Sequence, residues 1–452
     1  MIAHLLRAAF LGLVRLFYPR IAVARSDRLP ARGPVIVLAN HPNGLLDPVV
    51  LSLGLGRPVS FLAKSTLFGN PLGRALMRAF DAIPVYRPRD GEDPRRNEET
   101  FERCRDLLRR GGWLAMFPEG TSHSDPRMKP LKTGAARIAL GAERSAGFAL
   151  GLSIVPVGLL YEDKDVFRSR VALSVGAPIR LADLEGREGE RTAVAELTSR
   201  IHQGLGEVVL EADSSELWRG FLAVAAWTGG PAATDVAVLE GRARELARAY
   251  RVLHEEAPAR ALELERKVRR FVRVLRSVGI SDPLGLEAAS APPARTLLLS
   301  WLALLLLSPV ALVGAVLGWV PYRLVRPGAI RLSRGEADLV GTVKALLGLV
   351  VMTLTYATEA ALAGLRWGAA AGLAGLVAAP LSGLAALRFQ EGLDLRREAL
   401  RAFFVRSTSA RIAAAVAARR RELAALVEDE LGRQRQAGSP AASGERDATF
   451  QG

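Results

Sequence analysis

Apolar positions along this chain follow three patterns, and each predicts a different kind of element. Between about residues 34 and 175 they come in short runs bounded by glycine, proline or charge. Pro34-Val35-Ile36-Val37-Leu38-Ala39, Val59-Ser60-Phe61-Leu62-Ala63, the run 82–89, Trp113-Leu114-Ala115-Met116-Phe117, and the stretches 153–160 and 171–175 read as buried strands. Helical segments separate them. This alternation predicts an α/β domain over residues 25–205, a central sheet covered by helices on both faces.

The second pattern is amphipathic. Leu6, Phe10, Leu13, Val14 and Phe17 recur at helical spacing with Arg7 and Arg15 between them. Residues 1–24 therefore read as an interfacial helix, too short and too charged to span a bilayer and without a clear cleavage site. Residues 206–290 are helical and highly charged, a structural appendage with no chemical motif. Residues 391–436 read as a basic amphipathic helix, and 437–452 as a disordered tail.

The third pattern is continuous apolarity over residues 291–390. Residues 296–322 carry no charge for 27 positions and 367–387 none for 21, with a further apolar stretch from 345 to 358. About 20 such residues cross a hydrocarbon core, so this region reads as transmembrane helices or hairpins. Arg295, Arg323, Arg326, Arg331, Arg334, Lys344 and Arg388 flank it. Under the positive-inside tendency all of these lie in the cytoplasm. That predicts a first hairpin within 296–322, folded at Ser308-Pro309, and a second turning near 359–366.

Composition narrows the partners. The formal net charge is +15, mostly from arginine, which suits an anionic membrane or anionic substrates. The arginines are dispersed beside long apolar segments and no nucleic-acid motif is present, so nucleic acid is not an expected partner. One cysteine, Cys104, excludes an intramolecular disulfide, and no Cys/His group has metal-ligand spacing.

The candidate chemistry lies at strand ends. Asn40-His41-Pro42-Asn43-Gly44-Leu45-Leu46-Asp47 follows the first strand and runs into a helix. A neutral imidazole can take a proton from an attacking hydroxyl, and a nearby carboxylate can fix its tautomer. The bland reading is a turn whose Asp caps a helix. Trp113–Phe117 leads into Pro118-Glu119-Gly120-Thr121-Ser122-His123, followed by Lys129 and Lys132, and the run 82–89 ends in Arg87 and Arg89. Three strand ends converging on one crevice would bring a His/Asp pair and a basic cluster to a phosphorylated alcohol.

Asn40-His41 with Asp47, then Ile83-Pro84-Val85-Tyr86-Arg87, then Phe117-Pro118-Glu119-Gly120-Thr121, then Ile154-Val155-Pro156-Val157 resemble, in order and spacing, the four blocks of the glycerol-phosphate/lysophosphatidate acyltransferase family. The resemblance covers roughly residues 30 to 180. It implies a glycerolipid-acyltransferase-like fold, His41 as general base and Asp47 as its orienting partner. It implies Arg87 as ligand of the acceptor phosphate, with Glu119, Gly120, Thr121 and Lys132 on the acceptor side and Val155-Pro156 toward the acyl donor. Two departures stand out. Five residues rather than four separate His41 from Asp47, a bulge that Gly44 makes easy. Ser122 also stands where the family has Arg, its charge to be replaced by Lys64, Arg89 or Lys132. Both are similar to the eukaryotic-type glycerol-3-phosphate and dihydroxyacetone-phosphate acyltransferases.

The implied activity is a membrane-bound O-acyltransferase of phosphatidate synthesis. It would use acyl-CoA or acyl carrier protein as donor and neither cofactor nor metal, in the cytoplasmic (inner) membrane with the catalytic domain facing the cytoplasm. Lysophosphatidate is the alternative acceptor, and a silent membrane scaffold the reading from another class. No Gly-x-Ser-x-Gly elbow supports a hydrolase. On this reading a chain ending at 290 keeps some activity.

Overall fold

The apolar runs become strands because both of their faces are covered. β2 (Val35–Ala39), β5 (Trp113–Met116) and β6 (Ser153–Tyr161) are buried at every position, so an alternating polar pattern would have no water to face. The computed structural model describes residues 2–187, 191–229, 235–278, 294–408 and 410–437. In it these strands join β1 (Arg20–Ala24), β3 (Ser60–Lys64), β4 (Ile83–Val85) and β7 (Arg170–Val175) in one seven-stranded sheet, ordered β1-β7-β6-β2-β5-β3-β4. The five strands from β6 to β4 are mutually parallel, and β7 pairs antiparallel with β6.

Alternate side chains of each strand enter two separate cores. Val35, Val37 and Ala39 pack with α1 (Ile2–Phe17), α2 (Leu46–Gly54) and α3 (Pro71–Ala79). Ile36 and Leu38 pack with α4 (Asn97–Arg109), α5 (Gly134–Ser145) and α6 (Arg191–Gly206). The predicted α/β sheet with helices on both faces is present.

The amino terminus differs from its sequence reading. The helix ends at Phe17, and Arg20–Ala24 pairs in parallel with β7 as an edge strand. The stripe expected to meet lipid is turned into the domain. Phe10, Val14 and Phe17 are buried, with the Phe10 ring set edge-on to Phe80 at 5.8 Å. The amphipathic spacing was correct; the apolar surface it meets is protein.

The described residues form two compact units. The first contains the sheet and comprises Met1–Trp218, Asp235–Arg244 and Val325–Leu349. The second holds what is described of Arg219–Thr234, Glu245–Leu324 and Val350–Gly452. The expected appendage 206–290 is thus not one piece. In α8 (Val236–Glu256), Glu240 and Arg244 are buried and form an ion pair, and Arg244 also donates to Ser174 of β7. These contacts tie residues 235–244 to the sheet. α7 (Ser215–Thr228) lies mostly, and α9 (Pro258–Val278) wholly, in the second unit.

The apolar region forms α10 (Ala294–Leu332), α11 (Val340–Trp367) and α12 (Ala369–Thr408), each containing a segment long and apolar enough to cross a membrane. Large side chains such as Leu306, Leu312, Leu365, Trp367 and Leu373 are exposed, as lipid-facing residues would be. The hairpin expected within 296–322 is not formed, because α10 runs unbroken through Pro309. A proline lacks the N–H that would bond the carbonyl four residues back. Here the Ser308 hydroxyl donates to that carbonyl, Leu305 O, at 2.7 Å, which repairs the ladder.

The second hairpin is present between α11 and α12. It turns at Gly368, with φ +91°, just after 359–366, so Glu359 and Arg366 lie on the helix itself. A β-carbon on Gly372 would sit 3.1 Å from the Gly364 α-carbon, so the two helices meet backbone to backbone. The predicted amphipathic helix 391–436 is helical on both sides of Ser409, which lies outside the described residues. Its first part continues α12, and the rest is α13 (Ala410–Ala437). The predicted tail beyond Ala437 lies outside the described residues.

Candidate active site

The carboxyl ends of five parallel strands share one edge of the sheet, where ligand sites of open α/β sheets are built. β2 is the second of these strands counted from β6, and the chain leaves it through Asn40. The Asn40 side chain extends the pairing with β6, accepting from Leu159 N–H at 2.7 Å and donating to Leu159 O at 3.0 Å. The turn then places Gly44 at φ +43° before α2 begins. This is the bulge that the extra residue requires, in the left-handed region that glycine enters freely.

The bulge lets His41 and Asp47 meet. His41 Nδ1 lies 2.8 Å from Asp47 Oδ2. Asp47 is fully buried, and its carboxylate also accepts from Asn43 N–H at 2.8 Å and from the Tyr161 hydroxyl at 2.5 Å. A buried carboxylate with three donors has its charge balanced and its orientation fixed. It holds the His41 proton on Nδ1 and leaves Nε2 with a lone pair. The imidazole ring stacks on Phe117, centroids 3.9 Å apart and planes within 9°. The His41 side chain keeps 17% exposure, enough for a substrate hydroxyl to reach Nε2.

The loop after β5 is tied to this turn. His123 N–H donates to His41 O at 3.0 Å. Glu119 is buried; its Oε2 accepts from Lys129 N–H at 2.7 Å and contacts His123 Nε2. Gly120 has φ +72°, and a β-carbon there would lie 2.9 Å from Lys132 Cε. Glu119 and Gly120 therefore shape the loop from within.

Residues 20–160 match the family model described as Acyltransferase. The chain carries an acyltransferase domain. It is 25% identical to an uncharacterized acyltransferase of Schizosaccharomyces pombe, covering 45% of this chain and 43% of that protein. It is 38% identical to glycerol-3-phosphate O-acyltransferase 2 of Saccharomyces cerevisiae, over 25% of this chain and 15% of that one. With a chloroplastic 1-acyl-sn-glycerol-3-phosphate acyltransferase of Arabidopsis thaliana it shares 30% identity, over 32% and 36% of the two chains. The chain thus spans less than half the length of each of these relatives.

Of the sequence-predicted site residues, the acyltransferase domain brings His41, Asp47, Glu119, Gly120, Thr121 and Lys132 into one loop cluster. Thr121 Oγ1 donates to Ser122 O, and Lys132 is exposed along Gly120. Arg87 is placed apart from them. It follows β4, three strands from β2, or about 14 Å across the sheet at the usual strand spacing. Its Nε is bonded to Asp90 at 2.7 Å. Lys64, at the end of β3, is exposed.

Three members of the candidate site were not anticipated. Tyr161 supports Asp47. Tyr18 accepts from Asn43 Nδ2 at 2.6 Å and donates to Lys164 O at 2.5 Å. Burial, and then the Asp47 charge, push the Tyr161 hydroxyl well above its ordinary pKa, so it stays a donor. Lys164 spends its three protons on Pro42 O at 3.0 Å, Ser124 Oγ at 2.7 Å and Ala337 O at 2.7 Å. Burial lowers its pKa. Tyr161-Glu162-Asp163-Lys164 is a polar run directly after a strand on the site's own edge, and that was the available signal.

Proposed function

We propose that this protein is a membrane-bound acyltransferase that moves a fatty acyl group from a thioester to the hydroxyl of glycerol-3-phosphate or dihydroxyacetone phosphate. The observation that carries the reading is the His41 imidazole, with Nδ1 held by buried Asp47 and Nε2 open. Nε2 takes the hydroxyl proton as the acceptor oxygen bonds to the acyl carbon. The carbon–sulfur bond then breaks, and the imidazolium proton passes to the departing thiolate. The donor is acyl-CoA or acyl carrier protein, and the reaction uses no cofactor or metal. Lysophosphatidate is the second acceptor, supported by the name of the Arabidopsis relative. The deciding assay uses purified full chain in detergent, a labelled acyl thioester and each acceptor in turn. Transfer to none of the three overturns the reading.

Arg87 holds the acceptor phosphate on this reading, with the phosphate taking the place of Asp90. Arg87→Ala should then raise the acceptor KM about tenfold, the worth of a charge-assisted hydrogen bond, and spare the donor KM. Equal loss for donor and acceptor would make the Arg87–Asp90 pair purely structural.

Acyl thioesters and glycerol phosphates are cytoplasmic, so the acyltransferase domain belongs on that face of the inner membrane. The turn between α10 and α11 packs on this domain, through Lys344 Nζ to Asp165 O at 2.7 Å and Lys164 Nζ to Ala337 O. Arg334 in that turn therefore shares the domain's side, as the positive-inside tendency favours, and an unbroken α10 that crosses would put Arg295 on the other. A Glu336→Cys substitution in a Cys104→Ser background places one thiol at an exposed position of that turn. An impermeant thiol reagent should miss it in intact cells and label it after lysis. Labelling of intact cells would put the turn, and the domain with it, outside.

A further inference from the structure

We propose that the turn joining α10 to α11, residues 333–339, is a working part of the acyltransferase site. In this arrangement Asp338 is the positioning residue that holds the 119–124 loop against the His41 turn. The proposal rests on the acyl-transfer reading for its kinetic part and on geometry alone for the rest.

The turn grips both active-site loops. The Ser122 hydroxyl donates to the Asp338 carboxylate across 216 positions of sequence. One residue earlier, Ala337 O accepts a proton of Lys164, whose other two go to Pro42 O of the His41 turn and Ser124 Oγ of the second loop. Two polar links thus reach two consecutive residues of a segment outside the acyltransferase motifs, and Lys164 carries one of them on to both loops. Ser122 is bonded to Asp338, while the neighbouring His123 N–H holds His41 O. A displacement of Ser122 is therefore passed directly to the backbone of the catalytic base.

The fit is that of packed structure. A β-carbon on Gly44 would come within 2.9 Å of Leu339 Cδ2, and one on Gly341 within 2.6 Å of Asn43 Oδ1. Backbone on each side approaches more closely than any side chain would permit. Just beyond the turn, Lys344 caps Asp165 O and Ala345 is buried in the sheet core. A lid that opened each turnover would have to break all of these contacts.

The test uses the full chain in detergent, with hydrogen exchange of the peptide containing His123 read beside steady-state kinetics. Asp338→Ala should speed exchange of that peptide and lower kcat, each by about tenfold, while the thioester KM stays within about twofold. Asp338→Asn keeps an acceptor for Ser122 and should recover most of both. Glu99→Ala, exposed on α4 and outside the turn and both loops, should change neither. The proposal is overturned by unchanged exchange in Asp338→Ala, by an unchanged or increased kcat, or by Asn proving as damaging as Ala. If the wild-type chain acylates none of the acceptors, the functional reading falls. The exchange data still decide whether Asp338 holds the loop.

Discussion

Replacing His41 with alanine should lower acyl transfer by about 10²- to 10⁴-fold, the usual range for a positioned general base. Among the described residues no other group is bonded to Asp47 in a way that could take over the proton. Its remaining donors are a backbone N–H and a tyrosine hydroxyl whose ionisation is suppressed by burial. The fold should survive, because the lost ring is partly exposed and packs on a single face of Phe117. Asp47→Asn should also be severe, since the amide can present its NH₂ to Nδ1 and reverse the tautomer. Turnover in His41→Ala near that of wild type, in protein with an unchanged unfolding transition, would remove His41 from the mechanism.

A chain ended at residue 290 should lose more than about 99% of its activity, against the expectation drawn from sequence. That expectation treated the carboxy-terminal region as an anchor. Residues 325–349 belong instead to the same compact unit as the sheet. Their removal strips Lys164 of one of its three acceptors and Ser122 of its partner. It also uncovers Asn43, which is fully buried, and takes Ala345 out of the core. A half-buried ammonium that loses an acceptor costs about 1 kcal/mol, before the exposed apolar surface is counted. The truncated chain should therefore also melt earlier than the full chain in the same detergent. Activity above about a tenth of wild type would show that the motifs suffice alone.

The parts of the molecule legible in the sequence are those written within one local stretch. The strands announced themselves because a run covered on both faces has no polar alternation. The His41–Asp47 contact followed from a six-residue offset with one glycine to absorb the bulge, and Gly44 adopts the required positive φ. What escaped depends on pairings that sequence does not index. Arg20–Ala24 is an ordinary short apolar stretch until β7 lies beside it. Tyr161 and Lys164 acquire their roles from residues more than 100 positions away. The unbroken α10 depended on one hydroxyl, Ser308, standing in for the N–H that Pro309 lacks. Arg87 was correctly placed at a strand end, but strand order, which motif spacing leaves open, set that end far from the dyad.

The bond between Ser122 and Asp338 also sets a timetable. Synthesis at about 5–20 residues per second puts roughly 10 to 40 s between the emergence of these two residues from the ribosome. During that interval the nascent sheet domain stands with the Gly44 face bare and Lys164 short of an acceptor. The first apolar helix, α10, is made within the same interval, since it ends at Leu332 just before Asp338. Closure of the site is therefore a late event of high contact order. A chain released before that helix is complete remains unfinished at the edge that carries His41.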